Sequence, residues 1–354
     1  MINAQQLVLV ACLFAVDIPA NMEFLLGVIG QIAAFEVIPT EEIYDKAFTV
    51  IIVEAFTPYF ETIGLEHVLL FQNFGTLGFV IAAQPIIYIT YYVMASCAGR
   101  IKCCKRNSRK LGRILFWNSL LRLVIESFVI GILCCLLNAR ELEFDTENKW
   151  TYANAVLTLI FLPIFAFFPI ISGLCMCRGF KKLENEDVKE KYGELYDGFD
   201  SRKPKLVFFL QLDYIRKTLL CVSVVMFQDH FWIQMTTMFV GTIGMIMVEE
   251  YVQPRTNNFT KRMDIFNEVK LTFILYHLMM FTDFVTDDEV KFNIGYSCFA
   301  VVTIGLFVNM SNLITTPINA ATSYFKMRKF KKEAKKQSTF FKTKTNPKKF
   351  KRRG

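Results

Sequence analysis

Histidine occurs three times in 354 residues (His67, His230 and His277), and the chain has no HExxH, no GxSxG, no CxxC and no glycine-rich phosphate loop. Zinc-hydrolase, serine-hydrolase, dithiol and phosphate-binding chemistry each need one of those arrangements, because the reacting group must be met by particular side chains at fixed spacing. Their absence argues against an enzyme and against a metal centre, and no cofactor is expected. Period-2 alternation, which marks outer-membrane barrels in roughly 10-residue segments, is also scarce. The predicted outer loops hold none of the ten cysteines, so no extracellular disulfide framework is implied.

What fills the chain is apolar. Of its residues 53% are hydrophobic, 36 are phenylalanine, and mean hydropathy is +0.36. Several runs exceed the roughly 20 residues that a bilayer-spanning helix requires. The expected fold class is all-α, a polytopic transmembrane helical bundle of about eight spans. Residues 100–113 orient it, with seven cations and no acid between two apolar runs. Such a loop stays in the cytoplasm, because Lys and Arg near span ends resist translocation. The net charge of +8 is equally local, with 14 cations between Lys326 and Arg353, so nucleic acid is not an expected partner.

Residues 1–17 read as a first short span, with an apolar run over 4–16 closed by Asp17 and Pro19. The alternative is a cleaved signal segment, leaving seven spans, although the basic stretch that precedes the apolar run of a signal peptide is missing. Residues 18–72 carry eight acids against Lys46 alone. They read as an outer segment of amphipathic helices lying on the bilayer, with an embedded helical hairpin as the alternative. A seven-span bundle occupies 73–316, with spans near 74–98, 114–138, 153–177, 206–227, 231–252, 269–285 and 294–316. The three-residue turn 228–230 forces an antiparallel hairpin. Residues 317–354 form a basic cytoplasmic tail. On this topology 33 of the 40 Lys and Arg residues are cytoplasmic, counting Lys270 at the inner edge of the seventh span, four lie outside and three lie within spans. The sequons at Asn258 and Asn309 fall inside and within a span, and are expected to stay unmodified.

Ionisable residues within a span are costly and usually face the bundle interior or water. Arg122 and Glu126 stand at i,i+4, and Asp213 can reach either Arg216 or Lys217. Self-neutralising packing is the bland reading of both sets; an ion path or a lipid headgroup site is the sharp one. His277 and Asp283 add a relay that can be drawn through the seventh span, although a lone span histidine is more often a hydrogen-bonded packing residue. Asn309 and Asn312 form a polar stripe that serves packing or lines a pore. In the tail, Lys326, Arg328, Lys329, Phe330, Lys331 and Lys332 combine charge with an insertable ring, which suits docking on anionic inner-leaflet headgroups; a solvated disordered tail is the bland alternative. Membrane lipids are therefore the expected partners, and a homo-oligomer is allowed. Cys103 with Cys104, and Cys175 with Cys177, stand at inner span ends where palmitoylation occurs.

Several local patterns occur in a familiar order. They are Pro19-Ala20-Asn21, Phe35-Glu36-Val37-Ile38-Pro39, Asn73-Phe74-Gly75, Phe116-Trp117-Asn118 with Arg122 and Glu126, and Lys191-Tyr192-Gly193-Glu194-Leu195-Tyr196-Asp197-Gly198-Phe199. Arg216-Lys217, Gln253-Pro254 and Asp264-Ile265-Phe266-Asn267-Glu268 follow. Together they resemble the carboxy-terminal multi-span region of large ciliate surface proteins and, more distantly, the fungal transient-receptor-potential-like family. That resemblance implies a membrane module of channel-like ancestry, with ion permeation as its function and no catalytic residue. A large ectodomain is not in this chain, so a short paralogue or a fragment is expected. Residues 286–293 are too few for the re-entrant pore segment of such channels, so any pore would be built differently. The competing expectations are a seven-span receptor-like protein, without its usual DRY-like and NPxxY signatures, and a non-transporting membrane scaffold.

Overall fold

Two of the long helices begin on asparagine side chains. Asn148 accepts from the Trp150 amide at 3.0 Å and Asn257 from the Phe259 amide at 2.9 Å, each satisfying an orphan donor of the first turn. The computed structural model describes residues 2–11, 13–14, 16–23, 25, 70, 75–97, 119–140, 142, 144, 148–312, 314–315 and 322. Their helices are α1 (Ile2–Ala11), α2 (Gly75–Cys97), α3 (Leu120–Glu126), α4 (Phe128–Arg140), α5 (Lys149–Gly179), α6 (Glu186–Tyr192), α7 (Leu206–Met226), α8 (Phe231–Val252), α9 (Asn258–Met280) and α10 (Asp288–Asn312). Tight 3₁₀ turns at Phe180–Lys182 and Gly193–Leu195 flank α6. Among the described residues there is no strand, only an isolated bridge between Phe199 and Arg255. The basic loop 100–113, most of the acidic segment 18–72, and the tail from Lys326 through Lys332 and beyond lie outside the described residues.

Helices α5, α8 and α10 are long and apolar enough to cross a bilayer, and α3 with α4 makes a fourth if that pair is one broken span. Helix α7 has the length, at 21 residues, but carries Asp213, Arg216 and Lys217. The third predicted span, read as continuous, is instead bent by 69° between α3 and α4. Ser127 sits at the bend, where its hydroxyl donates to the Leu123 carbonyl at 2.7 Å, a back-bond that loosens a helix. Gln6 of α1 donates to the Glu126 carbonyl there at 2.8 Å. The first apolar run is also shorter as a helix than as a sequence. Helix α1 has 10 residues, about 15 Å at 1.5 Å per residue. It packs against α4, α7 and α9, and Leu7, Val8, Val10 and Ala11 are all at 3% exposure or less.

The chain divides after Val302 into two units. In the first, the core of α4, α5 and α7 is aromatic. Phe128 packs edge-on to Tyr214 at 5.0 Å between ring centres, and Phe168 meets Tyr214 at 5.4 Å. A β-carbon on Gly131 would land in the Phe165 ring, so the glycine sets how closely α4 and α5 approach. The polar contents are equally internal. Asn154 donates to Asn138 at 2.7 Å and accepts from the Leu70 amide at 2.7 Å, while Asn138 donates to the Cys134 carbonyl at 2.8 Å. The outer surface is the reverse, with Phe167, Ile170, Ile171, Val240 and Met247 more than half exposed. In the second unit, Asn309 is buried, Asn312 is half-buried, and the Thr315 hydroxyl donates to the Asn312 carbonyl at 3.3 Å.

Candidate functional site: a buried charge layer and its lock

Asp213, Arg216 and Lys217 recur at i, i+3 and i+4, which puts them on one face of α7. Asp213 joins both cations, at 2.9 Å to Arg216 and 2.5 Å to Lys217. The other arm of the Arg216 guanidinium donates to Glu268 of α9 at 2.7 Å. To get there its stem lies across α8 at Gly241, where a β-carbon would come within 2.8 Å of Arg216 Cγ. Arg216 is 8% exposed and Lys217 2%. The quartet carries two positive and two negative charges, so it neutralises itself.

Two further ionisable side chains are buried beside it. Glu249 of α8 is 4% exposed, and its Oε1 has no hydrogen-bond partner. Asp264, Arg255, Lys261 and Glu268 lie within its electrostatic reach. Lys270 of α9 is 6% exposed, with Glu268 within its electrostatic reach. Thr242, on the same helix as Glu249, also buries an unpartnered hydroxyl. Buried polar groups without partners cost of the order of 1–3 kcal/mol each, more when charged, so a fold that keeps them needs a reason.

Beside this layer the connection from α6 to α7 is locked onto the turn between α8 and α9. Gly198 adopts a positive φ of 78° and Gln253 one of 48°, bringing the two loops edge to edge. The Asp200 amide donates to the Pro254 carbonyl at 2.8 Å and the Lys203 ammonium to the Gln253 carbonyl at 2.6 Å. Arg255 then stacks 3.9 Å from the Phe199 ring centre and pairs with Asp264 at 2.5 Å. The Tyr196 hydroxyl donates to the Leu183 carbonyl at 2.8 Å, closing the loop on itself. Burial pushes the Asp264 carboxyl above its ordinary range against the pull of Arg255, whereas the hydrogen bond from Arg202 holds Asp200 below it. Sequence fragments from 191–199, 253–254 and 264–268 therefore meet in one place.

The remaining sequence candidates are scattered. Arg122 and Glu126 do pair, at 2.9 Å, but their side chains are 62% and 38% exposed on α3, which packs against the turn Gly193–Leu195. His277 bridges two helices, its Nδ1 donating to the Phe273 carbonyl at 2.7 Å and leaving Nε2 to accept from the Ser297 hydroxyl at 3.0 Å. Asp283 lies at the opposite end of α9 from the charge layer. There it lines a cavity of about 600 Å³ with Asp17, Asp229, His230 and Trp232. Glu268 and Gly241 were not among the candidates. Glu268 reads as part of a polar linker, and its partner lies 52 residues away in sequence. A glycine in an apolar run gives no sign of the arginine it accommodates.

Charge and amide groups within, aliphatic and aromatic side chains without, and three helices long enough to cross a bilayer define an α-helical membrane protein. No family model matches the chain, and no curated protein or solved structure matches it.

Proposed function

We propose that this chain is a multi-pass protein of the plasma membrane or an endomembrane that carries ions through its bundle in a channel-like or transport role. The observation that carries this reading is Glu249, a buried carboxyl group with an unpartnered oxygen beside a network that already neutralises itself. Packing alone is served by Asp213, Arg216, Lys217 and Glu268; it has no use for Glu249, and an ionisable group buried in a bundle in that way usually marks a path for ions or protons. The eight-span topology belongs to the same proposal. Helix α2, at 23 residues, and α7, at 21, cover roughly 31–35 Å against a hydrocarbon core of roughly 30 Å. Helix α1 is then a short first span. The loop 180–205 and the turn 253–257 sit together at one end, and the turns 228–230 and 281–284 at the other, as alternating spans require.

The self-neutralised quartet favours a second reading, a non-transporting scaffold in which charge only fixes helix rotation. Ion flux into liposomes bearing the purified chain separates the two. A channel or transporter shows flux that Glu249→Gln alters severalfold, whereas Arg122→Gln with Glu126→Gln, on the exposed face of α3, leaves it unchanged. Absence of flux under every imposed gradient and potential gives the scaffold reading.

A further inference from the structure

Six cysteines lie among the described residues whose side chains are placed, and they fall into two groups. Cys134, Cys135, Cys221 and Cys298 are fully buried; Cys175 and Cys177 are exposed, both on the last turns of α5. Each exposed thiol prolongs a row of exposed apolar side chains. Cys175 follows Ile171 at i+4, and Cys177 follows Leu174 at i+3 and Ile170 at i+7, the spacings that align side chains along one helix face. Ile170, Ile171 and Leu174 are 57%, 57% and 50% exposed, as expected of a surface wetted by lipid tails. Immediately beyond the thiols, Arg178, Lys181 and Lys182 are exposed, the composition of a headgroup boundary. Helix α5 has 31 residues, about 46 Å, which exceeds the hydrocarbon thickness of roughly 30 Å and puts its last turns at the interface.

We propose that Cys175 and Cys177 are an S-acylation site, taking long-chain acyl groups from acyl-coenzyme A through a membrane-bound transferase. In net terms the cysteine sulfur attacks the acyl carbonyl carbon, the new carbon–sulfur bond forms as the bond to coenzyme A breaks, and the thiol proton leaves with coenzyme A. No oxidant or reductant takes part. The attached chains lie beside Ile170, Ile171 and Leu174 and anchor the end of α5 at the headgroup boundary. The assignment rests on the proposed topology, which sets this end of α5 on the cytoplasmic side, where acyl-coenzyme A is supplied.

The test uses the full chain expressed in a eukaryotic host, with Cys97→Ser, Cys103→Ser and Cys104→Ser to remove neighbouring interfacial thiols. Free thiols are blocked under denaturing conditions, thioesters are opened with hydroxylamine, and a polyethylene-glycol maleimide tags each thiol released. The expected result is a hydroxylamine-dependent shift of one or two tag units that Cys175→Ser with Cys177→Ser abolishes. In parallel, a membrane-impermeant maleimide is applied to either face of sealed vesicles. No hydroxylamine-dependent shift, with both thiols reached from the cytoplasmic face, overturns the acylation site alone. No shift, with access only from the opposite face, overturns the topology and the site with it.

Discussion

Replacing Arg216 by methionine tests the charge layer most directly. The guanidinium donates to Glu268 at 2.7 Å and to Asp213 at 2.9 Å, and the residue is 8% exposed. Methionine keeps most of the stem but removes the charge. Asp213 retains Lys217, while Glu268, with only 17% of its side chain exposed, loses the cation that compensates it. Breaking one side of a buried pair typically costs about 3–5 kcal/mol, because the orphaned charge stays buried. Neutralising the orphan as well, in Arg216→Met with Glu268→Gln, leaves the self-sufficient Asp213–Lys217 pair and a lost hydrogen bond, about 1–2 kcal/mol. The double variant is therefore expected to be more stable than the single one by about 1 kcal/mol or more. Denaturant unfolding in mixed micelles, followed by tryptophan fluorescence, measures all three. Equal losses for the single and double variants, or no loss for Arg216→Met, would refute the reasoning, since either result means that Glu268 does not depend on Arg216.

Gly241→Ala places a methyl group 2.8 Å from Arg216 Cγ and 2.9 Å from Cδ, so it is expected to cost about 1–3 kcal/mol in the natural chain and much less beside Arg216→Ala; the same unfolding assay reads the coupling. Tyr196→Phe removes the donor to the Leu183 carbonyl from a residue 5% exposed, so a loss of about 1–2 kcal/mol is expected, with faster amide exchange across 183–199 as its local signature. Asp264 binds its proton more tightly in the folded chain than in the unfolded one, because burial outweighs Arg255. Its contribution is thus fully present below the ordinary carboxylate range and is lost as pH rises through the raised value. Asp264→Asn is expected to flatten that part of the stability–pH profile, and an unchanged profile would count against the burial argument.

How much of this was legible beforehand depends on whether a contact is local. The spacing of Asp213, Arg216 and Lys217 announces their meeting, since i,i+3 and i,i+4 neighbours share a helix face whatever surrounds them. The Arg122–Glu126 pair was legible for the same reason, yet its position was not. Spacing says that two side chains can touch, not whether their face is covered, and a bend at Ser127 turns that face beside the turn Gly193–Leu195. Glu268 needed knowledge that α7 and α9 approach each other across a glycine of α8. In a soluble protein the apolar stripe of each helix would have pointed to its neighbours. A membrane bundle removes that clue, because a helix such as α5 is apolar both where Phe165 and Phe168 are buried and where Ile170 and Ile171 face outward. What betrays the buried face of such a helix is its few polar or small residues. Asn138 with Asn154, Gln6, and the two glycines under Phe165 and Arg216 all stand at helix contacts. Scattered singly through apolar runs, they read as exceptions in the sequence. In the bundle they are the contacts that hold the helices in register, because apolar surface gains nothing by leaving lipid for protein whereas a hydrogen bond or a close backbone approach does.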